Sequence, residues 1–184
     1  MPAAPGIHVE PPLPDDAQSI AQIHVASWQA AYAHILSAEY LAALSVDKRT
    51  ALWCEAIEKQ SPEVLVAKLD GHIVGWISFG PSRDKGAAAG AGELWALYVD
   101  PLHWSGGAGR RLWEGARERL VERGFVSVSL WVLTQNARGI GFYENTGFTP
   151  DFGSEKGFDL GGRQVQEIRY SAKLFGSMYK ANQV

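Results

Sequence analysis

The chain has 184 residues, 46% hydrophobic and 20% charged, with a formal net charge of −3. That length fits one domain with an adequate core, and the composition is globular rather than disordered. No basic surplus supplies the footprint of a nucleic-acid binder, and no apolar run approaches the roughly 20 residues of a membrane helix. The single cysteine, Cys54, has no internal disulfide partner, and MPAAPGIHVEPPLPDDAQ lacks the charged and apolar regions of a signal peptide. A cytoplasmic protein that binds neither nucleic acid nor membrane is expected.

Ile7 to Glu10 reads as a short strand, cut off by Pro11, Pro12 and Pro14. Asp15 or Asp16 can cap a helix over Ala17 to Tyr32, whose Ile20, Ile23, His24, Ser27, Trp28 and Ala31 recur at helical spacing. A second helical region covers about Ala38 to Lys59, interrupted near Ser45. Val64 to Leu69 and His72 to Phe79 are apolar and β-branched, and Asp70-Gly71 between them signals a hairpin. The small, glycine-rich stretch 81–92 reads as a mobile loop. A strand over 93–99 stops at Asp100-Pro101, and a helix over 107–123 buries Leu112, Trp113, Ala116, Leu120 and Val121 before Gly124 ends it. A strand at 126–132, a helix at about 137–146 and two closing strands near 148–153 and 164–173 complete the order.

The turn between strand 93–99 and the next helix carries chemistry. Gly106, Gly107 and Gly109 precede Arg110 and Arg111. A glycine-rich turn feeding a helix N-terminus gathers backbone N–H groups at the positive end of the helix dipole, which suits a phosphate or pyrophosphate. No Gly-Lys-Ser/Thr is present, and the dinucleotide fingerprint lacks its third glycine. On spacing alone the alternative is a tight strand-to-helix turn.

Leu97-Tyr98-Val99-Asp100-Pro101, the loop Trp104 to Gly109, and the set Asn136, Tyr143, Gly147 and Phe148 stand in the order and spacing of known motifs. Through them the chain resembles the GNAT superfamily of N-acetyltransferases over roughly residues 63–170, and SWQAAY at 27–32 resembles the first helix of many bacterial members. The resemblance implies an α/β (α+β) GNAT fold. Its sheet would be mixed, mostly antiparallel and twisted, of about seven strands, with splayed central strands and about four flanking helices. One domain would span residues 1–184, with the first strand and acceptor-side helices in 1–62 and the cofactor-binding core in 63–174. Acetyl-CoA would be the acetyl-donor cosubstrate, with no metal, and a small-molecule or peptide amine the acceptor. A homodimer is compatible with this reading.

Residue roles follow from the same resemblance. Leu97, Tyr98 and Val99 form the exposed strand edge, with Leu97 and Val99 giving main-chain contacts to pantetheine. The backbone of Trp104, Ser105, Gly106, Gly107, Ala108, Gly109 and Arg110 holds the pyrophosphate, with charge from Arg110 or Arg111. Asn136 contacts the cofactor, or caps the following helix, or both. Tyr143 stands at the general-acid position, against the alternative of a core aromatic. Glu93, four residues before Leu97, is a candidate general base, against the alternative of a strand-edge charge. A second family arrangement puts the base at position 131, where Trp131 cannot accept a proton. His24 and His34 are further candidates. Trp28, Tyr32, Trp95 and Trp131 could form an aromatic acceptor wall suited to an ammonium or an apolar amine, although seven tryptophans must mostly be buried. The expected activity is acetyl transfer to a primary amine by direct attack in a ternary complex. The rival is a non-catalytic acyl-CoA-binding regulatory domain on the same fold.

Overall fold

The computed structural model describes residues 6–174; residues 1–5 and 175–184, which the sequence reading includes in the same domain, lie outside the described residues. The N-terminal third gives β1 (His8–Glu10), α1 (Ala17–Ala31), α2 (Ala38–Ala42) and α3 (Val46–Lys59). Then follow β2 (Glu63–Leu69), β3 (His72–Pro81), β4 (Ala91–Val99), α4 (Ala108–Glu122), β5 (Ser127–Leu133) and α5 (Ala137–Asn145). β6 (Thr149–Pro150), β7 (Lys156–Leu160) and β8 (Arg163–Lys173) close the chain.

One sheet takes all eight strands, in the order β1-β2-β3-β4-β5-β8, with β6 and β7 sharing the outer edge of β8. Every pairing is antiparallel except β4 with β5. The sheet exceeds the expected seven strands through β7, whose Lys-Gly-Phe-Asp-Leu is a weak strand former. Its turn into β8 is Gly161-Gly162, both at positive φ, a hairpin signal the sequence reading passed over. The helix count exceeds four because the second helical region divides: Ser37 caps α2 and Ser45 caps α3, accepting the N–H of Tyr40 and Lys48. Asp16 precedes α1 without capping it. Its carboxylate accepts the Leu13 N–H at 2.8 Å and lies 3.4 Å from Lys68.

Helices cover both faces of the sheet. On one, Leu112, Ala116 and Leu120 of α4 pack on Ile77, Leu94, Val128 and Leu130. On the other, Ile20 and Ile23 of α1, with Trp53 and Ile57 of α3, pack on Val64, Val66 and Trp76. Fully burying one such side chain stabilises by about 1.5–3 kcal/mol. Among the described residues no helix is long and apolar enough to cross a membrane.

Two features of β4 position the site. Leu94 opposes Phe79 and Ala96 opposes Ser78, so Trp95 is the extra residue of a bulge. A bulge bends and twists its strand. Accordingly β4 pairs with β5 only from Ala91 to Glu93, and past that point the two strands diverge. The loop between β3 and β4, expected to be mobile, is tied down by Arg83 and Asp84. Arg83 binds Glu93, and Asp84 accepts from Trp131 Nε1 at 2.9 Å and from Arg169 at 3.3 Å.

Candidate active site

The divergence of β4 and β5 opens a groove of about 870 Å³, within the size range of small-molecule sites. In an antiparallel ladder alternate residues turn their N–H and C=O to opposite sides. Asp100 donates to the Val74 carbonyl at 2.8 Å, so residues 98 and 100 face β3, and residues 97 and 99 face the gap. The main chain of Tyr98, expected on the open edge, is therefore committed to β3; what it gives the groove is its side chain. The Val99 carbonyl accepts from Ser27 Oγ at 2.9 Å and from Trp104 Nε1 at 2.8 Å. Both its lone pairs are engaged. The Val99 N–H and both main-chain groups of Leu97 are left facing the gap.

At one end the groove meets the glycine turn. The N–H groups of Trp104 and Gly106 close the turn on Pro101 and His103, at 3.4 and 3.2 Å. So the expectation that every N–H from 104 to 110 faces an anion is corrected for these two, and Gly106 is absent from the groove lining. Ser105, Gly107, Ala108, Gly109 and Arg110 do line it. Gly107 precedes α4 at φ +90°, a conformation that favours glycine. The next N–H groups belong to the first helical turn and have no intrahelical acceptor.

Asn136 lines the groove at the start of α5 and also caps that helix, its Oδ1 accepting the Gly139 N–H at 3.0 Å. Arg138 lies beside it, its guanidinium 4.2 Å from the Trp104 ring centroid. Arg110 and Arg138 thus place cations in the first turns of two helices that carry no acidic residue there. A cation at that position opposes the helix dipole, which an anion bound between the two would offset. That opposition is the sequence signal by which Arg138 could have been found.

Tyr143 lines the groove on the inner face of α5. Its phenol is held protonated: burial raises its pKa well above the ordinary value, and the nearby Tyr98 raises it further. Tyr32 is raised likewise, first by burial and then by Tyr98, with a contribution from Tyr143. Three phenols therefore converge where α1, β4 and α5 approach one another. Trp28, Tyr32, Trp95 and Trp131 all line the groove, as does Ser27, whose helical spacing marks it only as a helix-face residue. Cys54 does not, and among the described residues no group of three or more His, Cys, Asp or Glu could hold a metal ion.

The structure does not bring Glu93 into the groove. Only 2% exposed, its carboxylate accepts the Arg83 backbone N–H at 2.7 Å and the Arg83 guanidinium, which also lies 4.3 Å from the Trp95 ring centroid. This is an anchor for the loop, not a carboxylate open to an amine. Glu93→Gln should lower stability by about 2 kcal/mol, the scale of hydrogen bonds to a charged group. The shape of the pH–rate profile should stay as it is. A mutant profile that loses its acidic limb would restore Glu93 as the base.

His24 and His34 are also outside the groove. His34 is exposed, whereas His24 is buried among Trp28, Trp53, Trp76 and Tyr98, stacked on Tyr98 at 5.1 Å. Burial, then the charge of Arg49, depresses its pKa to about 3. The unfolded chain therefore binds the extra proton first as pH falls below about 6.5. Stability should drop on acidification between pH 6.5 and 3, by at most about 1.4 kcal/mol per pH unit. Urea unfolding at pH 7 and 4.5 should show a smaller loss for His24→Phe than for the parent; equal losses would count against this account.

The fold and groove define a split sheet whose open gap between β4 and β5 leads to the N-termini of two helices, α4 and α5. The chain belongs to the acetyltransferase (GNAT) family, whose sequence model matches residues 20–148. It is 33% identical over 155 residues to the uncharacterized N-acetyltransferase YuaI of Bacillus subtilis (strain 168), covering 84% of this chain and 86% of that one. It is 27% identical over 139 residues to the spermidine N(1)-acetyltransferase of Thermoplasma acidophilum, covering 73% and 83%. The structure of yncA from Salmonella typhimurium with its cofactor acetyl-CoA superposes with a TM-score of 0.71 at 22% identity, over 96% of this chain and 98% of that one. That likeness speaks to the fold.

Proposed function

We propose that this protein transfers an acetyl group from acetyl-CoA to a primary amine of a small molecule or peptide, by direct attack in a ternary complex. The observation that carries this reading is the gap between β4 and β5, which runs from the aromatic wall past Tyr143 to the N-terminus of α4. Pantetheine would add to the open edge at Leu97 and Val99 as an extra strand. Its pyrophosphate would meet the first-turn N–H groups of α4, with Arg110, Arg138 and Asn136 beside it. Direct attack fits a groove that Cys54 does not line.

Tyr143 would serve the leaving thiolate. A thiolate has a conjugate acid pKa of about 8.5, against about 10 for a free phenol. Outright transfer from a phenol raised further is uphill. The nitrogen becomes strongly acidic once it has attacked, so the proton that reaches sulfur through Tyr143 is replaced by one from nitrogen. Tyr143 then acts as a relay and ends each cycle protonated.

Free-thiol release from acetyl-CoA, assayed across a panel of monoamines, polyamines, amino acids and peptides, tests the proposal. Amine-dependent release is expected. Acetyl-CoA binding with no release across the panel would establish the non-catalytic acyl-CoA-binding domain instead.

A further inference from the structure

The acceptor arm of the groove is apolar. Trp28, Tyr32, Trp131, Leu133, Phe158 and Leu160 line it, and a single carboxylate, Glu167, joins them. Glu167 sits on β8, opposite Leu133 of β5 and Lys156 of β7. With Glu93 committed to Arg83, Glu167 is the acidic residue of the lining. Among the described residues its side chain makes no hydrogen bond or ion pair, in contrast to Glu93.

Beside it lies a ring already prepared for an ammonium. Asp84 holds the Trp131 indole N–H, fixing the ring, and the Lys156 ammonium rests 3.4 Å from its centroid. A cation over an aromatic face is attracted by the ring quadrupole. Lys156 is an exposed residue of the short β7, directly across from Glu167 in the ladder. The same face thus offers an ammonium both an open carboxylate and an aromatic surface, with a side-chain ammonium on that surface.

We propose that Glu167 and the Trp131 ring form the acceptor subsite, that the acceptor is a primary monoamine with an aromatic or aliphatic body, and that Lys156 competes with it for the ring. This rests on the amine-transfer reading above. One carboxylate among apolar walls matches one ammonium on an apolar body; a polyamine would bring further charges with no partner there. The ammonium gives one proton to Glu167. The neutral nitrogen forms the C–N bond to the acetyl carbon, and the C–S bond breaks with its electron pair on sulfur. Sulfur takes a proton through Tyr143, the second nitrogen proton replaces it, and Glu167 releases its proton to solvent as the amide leaves. A carboxylate with a raised pKa suits such exchange. Burial raises that of Glu167 first, Lys156 and Arg83 oppose the rise, and Asp84 and Glu93 add to it.

The test measures binding of 2-phenylethylamine by calorimetry with CoA saturating, then acetyl transfer with acetyl-CoA, at pH 7 and 9. Glu167→Gln should weaken amine binding about tenfold and lower kcat/KM by at least as much at pH 7, a 1.4 kcal/mol effect. The kcat deficit should shrink at pH 9, where more of the amine arrives neutral. CoA affinity should hold. Lys156→Met should tighten amine binding several-fold, and spermidine should bind less well than 2-phenylethylamine. Absence of 2-phenylethylamine binding by the parent, unchanged binding in Glu167→Gln, weaker binding in Lys156→Met, or a preference for spermidine would each overturn the subsite. If binding depends on Glu167 but acetyl-CoA yields no amide, the transfer reading fails and the subsite stands. If the parent acetylates amines and Glu167→Gln matches it, the reverse holds.

Discussion

Tyr143→Phe should lower kcat by about 10²-fold or more, within the span of general acid–base catalysis, while acetyl-CoA affinity holds. The phenylalanine ring keeps the packing of Tyr143 against Phe142 and Phe148, whose centroids lie 5.4 and 5.8 Å away. What is lost is one hydroxyl, in a setting where burial keeps it protonated. The loss should fall on kcat and kcat/KM alike, the mark of an interaction made in the transition state. If the thiolate instead takes its proton from water, kcat with a good acceptor will be unaltered and Tyr143 will count as a core aromatic.

Gly109→Asp should weaken acetyl-CoA binding by well over tenfold, since forfeiting about 2 kcal/mol of anion binding is worth roughly 30-fold. The new carboxylate would stand in the first turn of α4, placing like charge beside the anion site proposed there. The position is also crowded: a Cβ at 109 would lie 3.2 Å from the Phe142 ring. Gly109→Ala separates the two causes. It carries the crowding without the charge, so its affinity should fall much less than that of the aspartate variant, in calorimetry on samples of verified fold. Equal losses in the two variants would make position 109 a packing site, and unchanged affinity in both would sink the assignment of the loop.

The sequence displays its cofactor side more openly than its acceptor side, for a reason of distance along the chain. The glycine turn and the Asn136 cap act through neighbours only a few residues away, and local spacing carries that information. Glu93 shows the opposite case. Its position on the strand suggests a base, but its charge is answered by Arg83, ten residues upstream in a stretch whose composition reads as loose. Glu167 comes near Trp131 only through the register of β5 on β8, and Lys156 only through β7, a strand with a weak local signature. The commitment of the Gly106 N–H to His103 is likewise a detail of turn geometry that residue types do not encode.

The split in the sheet has a consequence for the life of the chain before it meets its ligand. Leu97 and the Val99 N–H present an unanswered strand edge in the middle of the molecule, where other sheets would have closed their ladder. Such an edge is a template for stray pairing with another chain. If pantetheine completes it, the cofactor also acts as a folding ligand, adding about 2.7 kcal/mol of stability at a concentration 100 times its dissociation constant. Protein made where acyl-CoA is scarce should then melt lower and aggregate sooner than the same protein made in a replete cell. Its abundance would follow the metabolic state of the cell with no regulator involved.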